Sequence, residues 1–258
     1  MPKRTMPESE VANLPIFRNL SARRRADLLA DAVQHGVSSG TMLFEQGEVP
    51  NFQLLVLSGS AHLFGRSAEG REVLIEVVRA PDLIIPAAVA TGAPYLMRAR
   101  VPEPSRLLMI RAATFREAVA ADPVLAQAVI GSLAQQFRRM VRQVKNLKLR
   151  SSTERVGCYI LALAARQGTL DRAALPYEKS LIASELGMTR ESFSRSLSNL
   201  EEGIEVQGST ILIRDAAALI RICRPDQLID GDIYNLAPRG AKTPVSGLPR
   251  PIERPPGH

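Results

Sequence analysis

Gly187-Met-Thr-Arg-Glu-Ser-Phe-Ser-Arg-Ser-Leu-Ser-Asn-Leu200 is the stretch on which the reading of the whole chain turns. Thr189 has a hydroxyl suited to cap the free N–H groups that open a helix. Beyond it, Phe193, Leu197 and Leu200 recur at four and three residues, which predicts one apolar stripe. Glu191, Ser194, Arg195 and Ser198 fall on the opposite stripe, so one face suits a core and the other carries hydrogen-bonding groups. Just upstream, Glu178 to Leu186 places Leu181, Ile182 and Leu186 on one side, with a small Ala183 where a second helix can cross closely. Gly187 supplies the turn. Helix, short glycine turn, helix with a polar outer face is the helix-turn-helix pattern, whose second helix enters the major groove of DNA. An ordinary helical hairpin with its polar face in water has the same spacing.

The residues beyond Leu200 favour the first reading. Ile204 to Ile213 alternates on both sides of Gln207-Gly208, the signature of a short β-hairpin. A hairpin directly after the second helix is the wing of a winged helix, and Gln207 and Ser209 at its tip are placed to touch phosphates. Thr189 and Arg190 at the helix start complete the candidate DNA-facing set with Glu191, Ser194, Arg195 and Ser198.

The totals agree. The 258 residues carry a net charge of +7, which favours a polyanionic partner. Apolar content is 45% and mean hydropathy −0.01, as in a globular protein. No run of some 18 apolar residues occurs, so no membrane span is expected. Met1-Pro-Lys-Arg lacks the apolar stretch of a secretory signal. Cys158 and Cys223 give neither a disulfide framework nor metal-site spacing. A cytoplasmic location fits these features.

Taken in order, residues 1–12 are polar, and Leu20 to Leu29 reads as a helix starting at Ser21. From Gly36, glycines at 40, 47, 59, 65 and 70 punctuate short apolar runs: 41–44, 53–57, 61–64, 73–78 and 107–110. Such spacing predicts a small β sandwich or barrel over 36–111. Asp122-Pro123 then opens a long helix. Along it Ala126, Ile130, Leu133, Phe137, Met140, Val144 and Leu147 keep four-three spacing, a heptad seam that wants a partner helix. The same stripe would also serve to pack on the chain's own β domain. Ser151-Ser-Thr-Glu154 matches a capping box and starts a further helix. The winged helix comes next, then a last helix over 215–222. Beyond Arg224, recurrent proline and glycine read as a disordered tail.

A glycine-punctuated β domain, a long dimerising helix and a C-terminal winged helix resemble the Crp/Fnr family of bacterial transcription regulators over roughly residues 14–222. The most specific piece is Arg190-Glu-Ser-Phe-Ser-Arg195, similar to that family's recognition-helix motif. By resemblance, the positions of Arg190, Glu191 and Arg195 read bases in the cyclic AMP receptor branch, and those of Glu191, Ser194 and Arg195 in the Fnr-like branch. Ser194 leans towards TTGAT half-sites. The implied fold is α+β: a β-roll (jelly-roll-like) sensor over 1–120, a dimerisation helix over 121–150, a winged helix-turn-helix over 151–224 and a tail over 225–258. The implied partners are double-stranded DNA, a second copy of the chain and RNA polymerase, with no membrane. The expected dimer interface is Ile130, Leu133, Phe137, Met140, Val144 and Leu147.

The resemblance is incomplete in the sensor. Ile84 and Ile85 fall about where cyclic AMP receptors carry a Gly-Glu pair, and Tyr95 about where they carry the phosphate-binding Arg. Cyclic nucleotide binding is therefore not expected, and two cysteines cannot supply the four ligands of an Fnr iron–sulfur cluster. The apolar replacement lining suits haem or no ligand. The sequence looks closest to the nitric-oxide-responsive Dnr and NnrR branch, some members of which are thought to use haem, while the effector-independent FixK-like branch is the alternative. His62 and Tyr95 are the effector-site candidates, His62 fitting equally an ordinary strand residue. Leu200 to Val206 is about two residues shorter than the family pattern, so the helix ends early or the wing sits differently. A cupin-like metal enzyme needs clustered His and Glu that are absent here. A pure interaction module would explain the heptads but not the Arg-Glu-x-x-Ser-Arg face. The expectation is a DNA-binding regulator and not an enzyme.

Overall fold

The computed structural model describes residues 11–169 and 171–234. The chain divides into two compact units, Met1–Arg138 and Arg139–His258.

In the first unit, helix α1 (Ala22–Leu29) starts where expected, with the Ser21 hydroxyl accepting from Arg24 N–H. Strands β1 (Val33–Val37), β2 (Met42–Phe44), β3 (Phe52–Ser58), β4 (Ser60–Arg66), β5 (Glu72–Arg79), β6 (Asp82–Ile84), β7 (Arg98–Arg100) and β8 (Ser105–Arg111) form two antiparallel sheets. Their orders are β1-β8-β3-β6 and β2-β7-β4-β5. Leu54 and Val56 of β3 face the second sheet, among Phe44, Leu63, Ala99 and Leu107. Leu55, between them, points the other way into a layer with Phe17, Leu83, Phe115 and Leu125. This sheet is covered on both faces, which is why β3 reads as an unbroken apolar run and not an alternating one. The covering comes from α3 (Ala112–Ala121) and the start of α4 (Pro123–Leu149). Helix α2 (Pro86–Thr91) interrupts the second half of the roll.

Helix α4 carries two stripes. Leu125 and Val129 are buried in the sensor core with Leu133 packed partly against it, and the Gln136 amide donates to Leu83 C=O at 3.0 Å. Leu133, expected in the dimer seam, thus belongs to the inward stripe. The outward stripe holds Ile130, Phe137, Met140, Val141, Val144 and Leu147, which are 40–67% exposed. The sequence pattern merged the two because both follow helical spacing.

In the second unit, α5 (Ser152–Arg166) opens on a complete capping box: Ser151 Oγ accepts from Glu154 N–H while Glu154 takes Ser151 N–H at 2.7 Å. Then come β9 (Arg172–Ala174), α6 (Lys179–Glu185), α7 (Arg190–Ser198), the hairpin β10 (Ile204–Gln207) and β11 (Thr210–Ile213), and α8 (Ala216–Cys223). Strand β9 pairs with β11 and makes the wing three-stranded, a pairing invisible in so short a run. The core gathers Val156, Ile160, Ile182, Phe193, Leu200, Ile211 and Leu219. Residues 225–234, read from the sequence as the start of the tail, are folded and end in α9 (Gly231–Tyr234), with Ile233 in that core. The rest of the expected tail, and the expected loose N-terminus up to residue 10, lie outside the described residues.

Candidate nucleic-acid interface

Gly187 sets the angle between α6 and α7. Its φ is +64°, a conformation that side-chain-bearing residues adopt at a cost, and a Cβ there would lie 2.5 Å from Leu147 Cδ2. Leu147, expected only in the dimer seam, therefore also rests on the helix-turn-helix. Gly187→Ala should destabilise the second unit by more than about 1 kcal/mol, because the native conformation is incompatible with a β-carbon. Thermal unfolding of the full chain checks this. An unchanged melting temperature would mean that Leu147 yields freely.

After the turn, Thr189 caps α7 as predicted, its Oγ1 accepting from Ser192 N–H at 3.2 Å. Phe193 and Leu200 are fully buried, Leu197 nearly so, and the small Ser196 is buried beside them. This anchoring leaves Thr189, Arg190, Glu191, Ser194, Arg195 and Ser198 together on the exposed face. Glu191 sits in the first turn, where the unpaired N–H groups favour negative charge. Its pKa is held down by its own backbone N–H, then by the Thr189 hydroxyl, Arg190 and Arg195. The carboxylate is thus ionised and able to accept from a cytosine amine, while the Arg195 guanidinium has the fork that suits guanine O6 and N7. Ser198 Oγ donates back to Ser194 C=O at 3.3 Å, which leaves its lone pairs outward.

At the wing, Gln207 and Ser209 flank Gly208 and are exposed. The Gln207 amide donates to Glu205 Oε1 at 2.7 Å, and Arg214 forks onto Glu205 Oε2 at 2.9 and 2.6 Å. Gln207 is therefore held by its own strand. The connection before the wing is tightly packed. Helix α7 stops at Ser198, and Gly203 packs so tightly that a Cβ would meet Asp215 C=O at 3.1 Å. The Asn199 amide donates to Thr153 Oγ1 at 3.2 Å, tying the end of α7 to the start of α5.

The effector candidates separate in space. Tyr95 is 5% exposed and stacks on Phe44, with ring centroids 3.7 Å apart and planes 16° from parallel. It lines a cavity of about 370 Å³ between the sheets, together with His35, Leu54, Phe52, Leu107 and Met109. His62 is not among the lining residues. It is 2% exposed on β4, in register with Val77 and Arg100. Burial, then Arg79 and Arg100, push its pKa down to about 4, with Glu103 acting in the opposite sense. An imidazole buried between strands beside two guanidinium groups offers no approach to an iron, so His62 does not fit a haem site. His35, on the cavity wall, is the histidine that sequence reasoning passed over. Its place there depends on β1 pairing with β8, some 70 residues away.

A lowered histidine pKa means that unfolding takes up a proton between the unfolded value near 6.5 and the folded value near 4. The His62 contribution to stability is complete above 6.5 and falls away as pH drops towards 4. His62→Gln should flatten that acid slope of the melting temperature, and an identical slope would show that other groups set it.

At Ile84–Ile85 the chain bends through a left-handed conformation at Ile85, φ 40° and ψ 57°, before Pro86 starts α2. Ile84 is buried, and the nearby Arg116 guanidinium is bound to Val89 C=O at 3.2 Å. Among the described residues no group of histidines, cysteines and carboxylates could hold a metal ion. Cys158 Sγ lies 3.4 Å from Cys223 C=O, and burial keeps both thiols protonated, the pKa of Cys223 rising to about 12. No single helix among the described residues is long and apolar enough to cross a membrane.

Two family models match these units: a cyclic nucleotide-binding domain over residues 35–122 and a Crp-like helix-turn-helix domain over 154–222. The chain is a transcription regulator of the Crp/Fnr type. Among curated Crp/Fnr relatives, it is 24% identical over 220 residues to the "CRP-like cAMP-activated global transcriptional regulator" of Mycobacterium tuberculosis, covering 83% of this chain and 98% of that one. It is 28% identical over 188 residues to the nitrogen fixation regulation protein FixK of Azorhizobium caulinodans, covering 70% and 75%. The solved structure of FixK2 from Bradyrhizobium japonicum superposes with a TM-score of 0.62 at 18% identity over 80% of this chain and 96% of that one, a likeness of fold. The expected α+β architecture, with its N-terminal β domain and C-terminal helix-turn-helix, is that of Crp/Fnr regulators.

Proposed function

We propose that this regulator binds DNA as a homodimer, reading an inverted repeat of TTGAT-like half-sites with Arg190, Glu191, Ser194 and Arg195. The observation that carries this is the division of α7: Phe193 and Leu200 are fully buried, while those four residues share the exposed face. A carboxylate on a face that meets DNA is repelled by phosphate, so Glu191 makes sense there as a base reader. The outward stripe Ile130, Phe137, Val141 and Val144 supports the dimer, since an exposed apolar seam at heptad spacing wants a partner helix. Two such reading helices sit about one turn of DNA apart, about 34 Å, which demands a two-fold-symmetric operator. RNA polymerase is the partner through which a bound dimer changes transcription.

The sensor acts without a cyclic nucleotide. By resemblance, Ile85 and Tyr95 fall about where cyclic AMP receptors hold the phosphate, Tyr95 is stacked on Phe44, and the Arg116 guanidinium is bound to Val89 C=O. The cAMP activation named for the mycobacterial relative is therefore not carried over to this chain. A haem-borne response to nitric oxide or low oxygen is not carried over through His62, which is closed off among the strands.

The test is operator affinity of the purified, ligand-free chain at one stated salt concentration, on the inverted repeat and on a scrambled duplex of equal length. A preference of about a thousandfold or more is expected. Equal affinity that falls with salt on both duplexes would leave only phosphate binding.

A further inference from the structure

Residues 225–234 lie beyond the matched helix-turn-helix domain, which ends at residue 222, yet they are folded against it. The chain turns at Arg224, a non-glycine residue in the left-handed region at φ 47°. Asp226 and Asp230 then brace one short loop: Asp226 N–H donates to Asp230 Oδ2 at 2.8 Å, and Leu228 N–H to Asp226 Oδ1 at 2.7 Å. The Asp230 carboxylate takes both arms of the Arg150 guanidinium, Nη1 at 3.0 Å and Nη2 more closely. Both side chains are at most 8% exposed. Around them, Arg142 Nε donates to Leu228 C=O at 3.2 Å, and Lys145 Nζ lies 3.7 Å from Asp226. At its far end the segment inserts Ile233 among the core residues of the winged helix.

Arg150 and the N-cap Ser151 are the two residues between α4 and α5. One short segment therefore holds the last turns of α4 and the winged-helix core at once, with its strongest bond at the break between them. A buried ion pair adds little net stability over an apolar pair of the same shape, because the cost of taking both charges out of water offsets their attraction. Losing one partner, however, leaves a buried charge without compensation. Such a pair penalises every geometry but one. A rotation about the α4–α5 break would pull the guanidinium off the carboxylate.

We propose that residues 225–234, through the Arg150–Asp230 pair, act as a clasp that fixes the winged helix on the end of α4 and so sets the half-site spacing the dimer accepts. Asp230 and Arg150 are positioning residues in this role and touch no base. The proposal rests on the two-half-site reading given under Proposed function.

The experiment uses the full chain and three duplexes: the inverted repeat at its best spacing, and the same repeat with one base pair added or removed. The wild type should favour one spacing by about tenfold or more, the scale of a coupling between contacting groups. Asp230→Asn should keep the dimer mass and bind the three duplexes within about threefold of one another, while Arg150→Asp combined with Asp230→Arg regains discrimination. If Asp230→Asn does not fold, Lys145→Ala, at the half-exposed rim of the clasp, carries the same comparison with a smaller loss. Wild-type spacing discrimination in the folded variant, or an equal loss of affinity on all three duplexes, overturns the clasp. A wild type that does not distinguish the repeat from scrambled DNA overturns the two-half-site reading instead, and the clasp with it.

Discussion

Phe137→Glu is expected to convert the proposed dimer to a monomer and to lower affinity for the proposed inverted repeat by on the order of a hundredfold, since contact with a second half-site is then no longer intramolecular. Phe137 is 67% exposed on α4, outside the cores of both units, so its replacement leaves folding intact. Its place is in the middle of the outward stripe, between Ile130 and Val144 at seven-residue intervals. In a paired seam it meets its own symmetry mate, and two carboxylates facing each other in an apolar layer cost both desolvation and repulsion. Light scattering reads the mass and a gel-shift titration reads the affinity. A dimer of unchanged mass with wild-type affinity would place the contact between copies elsewhere on the molecule.

Arg195→Ala is expected to weaken operator binding by about 1–3 kcal/mol and to blur the preference at one base pair, as loss of a bidentate base contact does. The side chain leaves α7 from its exposed face, one helical turn beyond Glu191, while Phe193 and Leu197 hold the helix in the core. Stability should change little, because Arg195 is exposed. Binding to operators substituted one base pair at a time distinguishes the outcomes. Equal loss on every duplex, with a smaller dependence on salt, would make Arg195 a phosphate contact.

The exposed face of α7 and its scaffold were legible in the sequence because their signals are local. Thr189 and Ser151 cap helices through hydrogen bonds spanning three residues, and Phe193, Leu197 and Leu200 reveal a buried side by spacing alone. The wing hairpin closes on a two-residue loop and needs no distant partner. Strands β1, β6, β7 and β9 escaped because they exist only in pairing. Three to five residues carry no period that distinguishes a strand from a loop, and β9 is a strand only because Ala173 meets Ile211. The stacking of Tyr95 on Phe44, 51 positions apart, was not legible either.

By itself, then, the sequence determined the order of parts, the caps and periods of the helices, and the residues that α7 presents. The tertiary structure alone decided which of two superimposed stripes on α4 faces the sensor. Leu133 and Val141 satisfy the same helical spacing, and only the position of the sheet beside the helix tells them apart. It also put His35 and not His62 on the cavity wall, since cavity walls are made by residues far apart in the chain. And it turned residues 225–234 from an expected tail into a folded segment. Their composition predicts disorder, but Asp230 meets Arg150, 80 positions earlier, and a buried partner at that separation leaves no trace in local pattern.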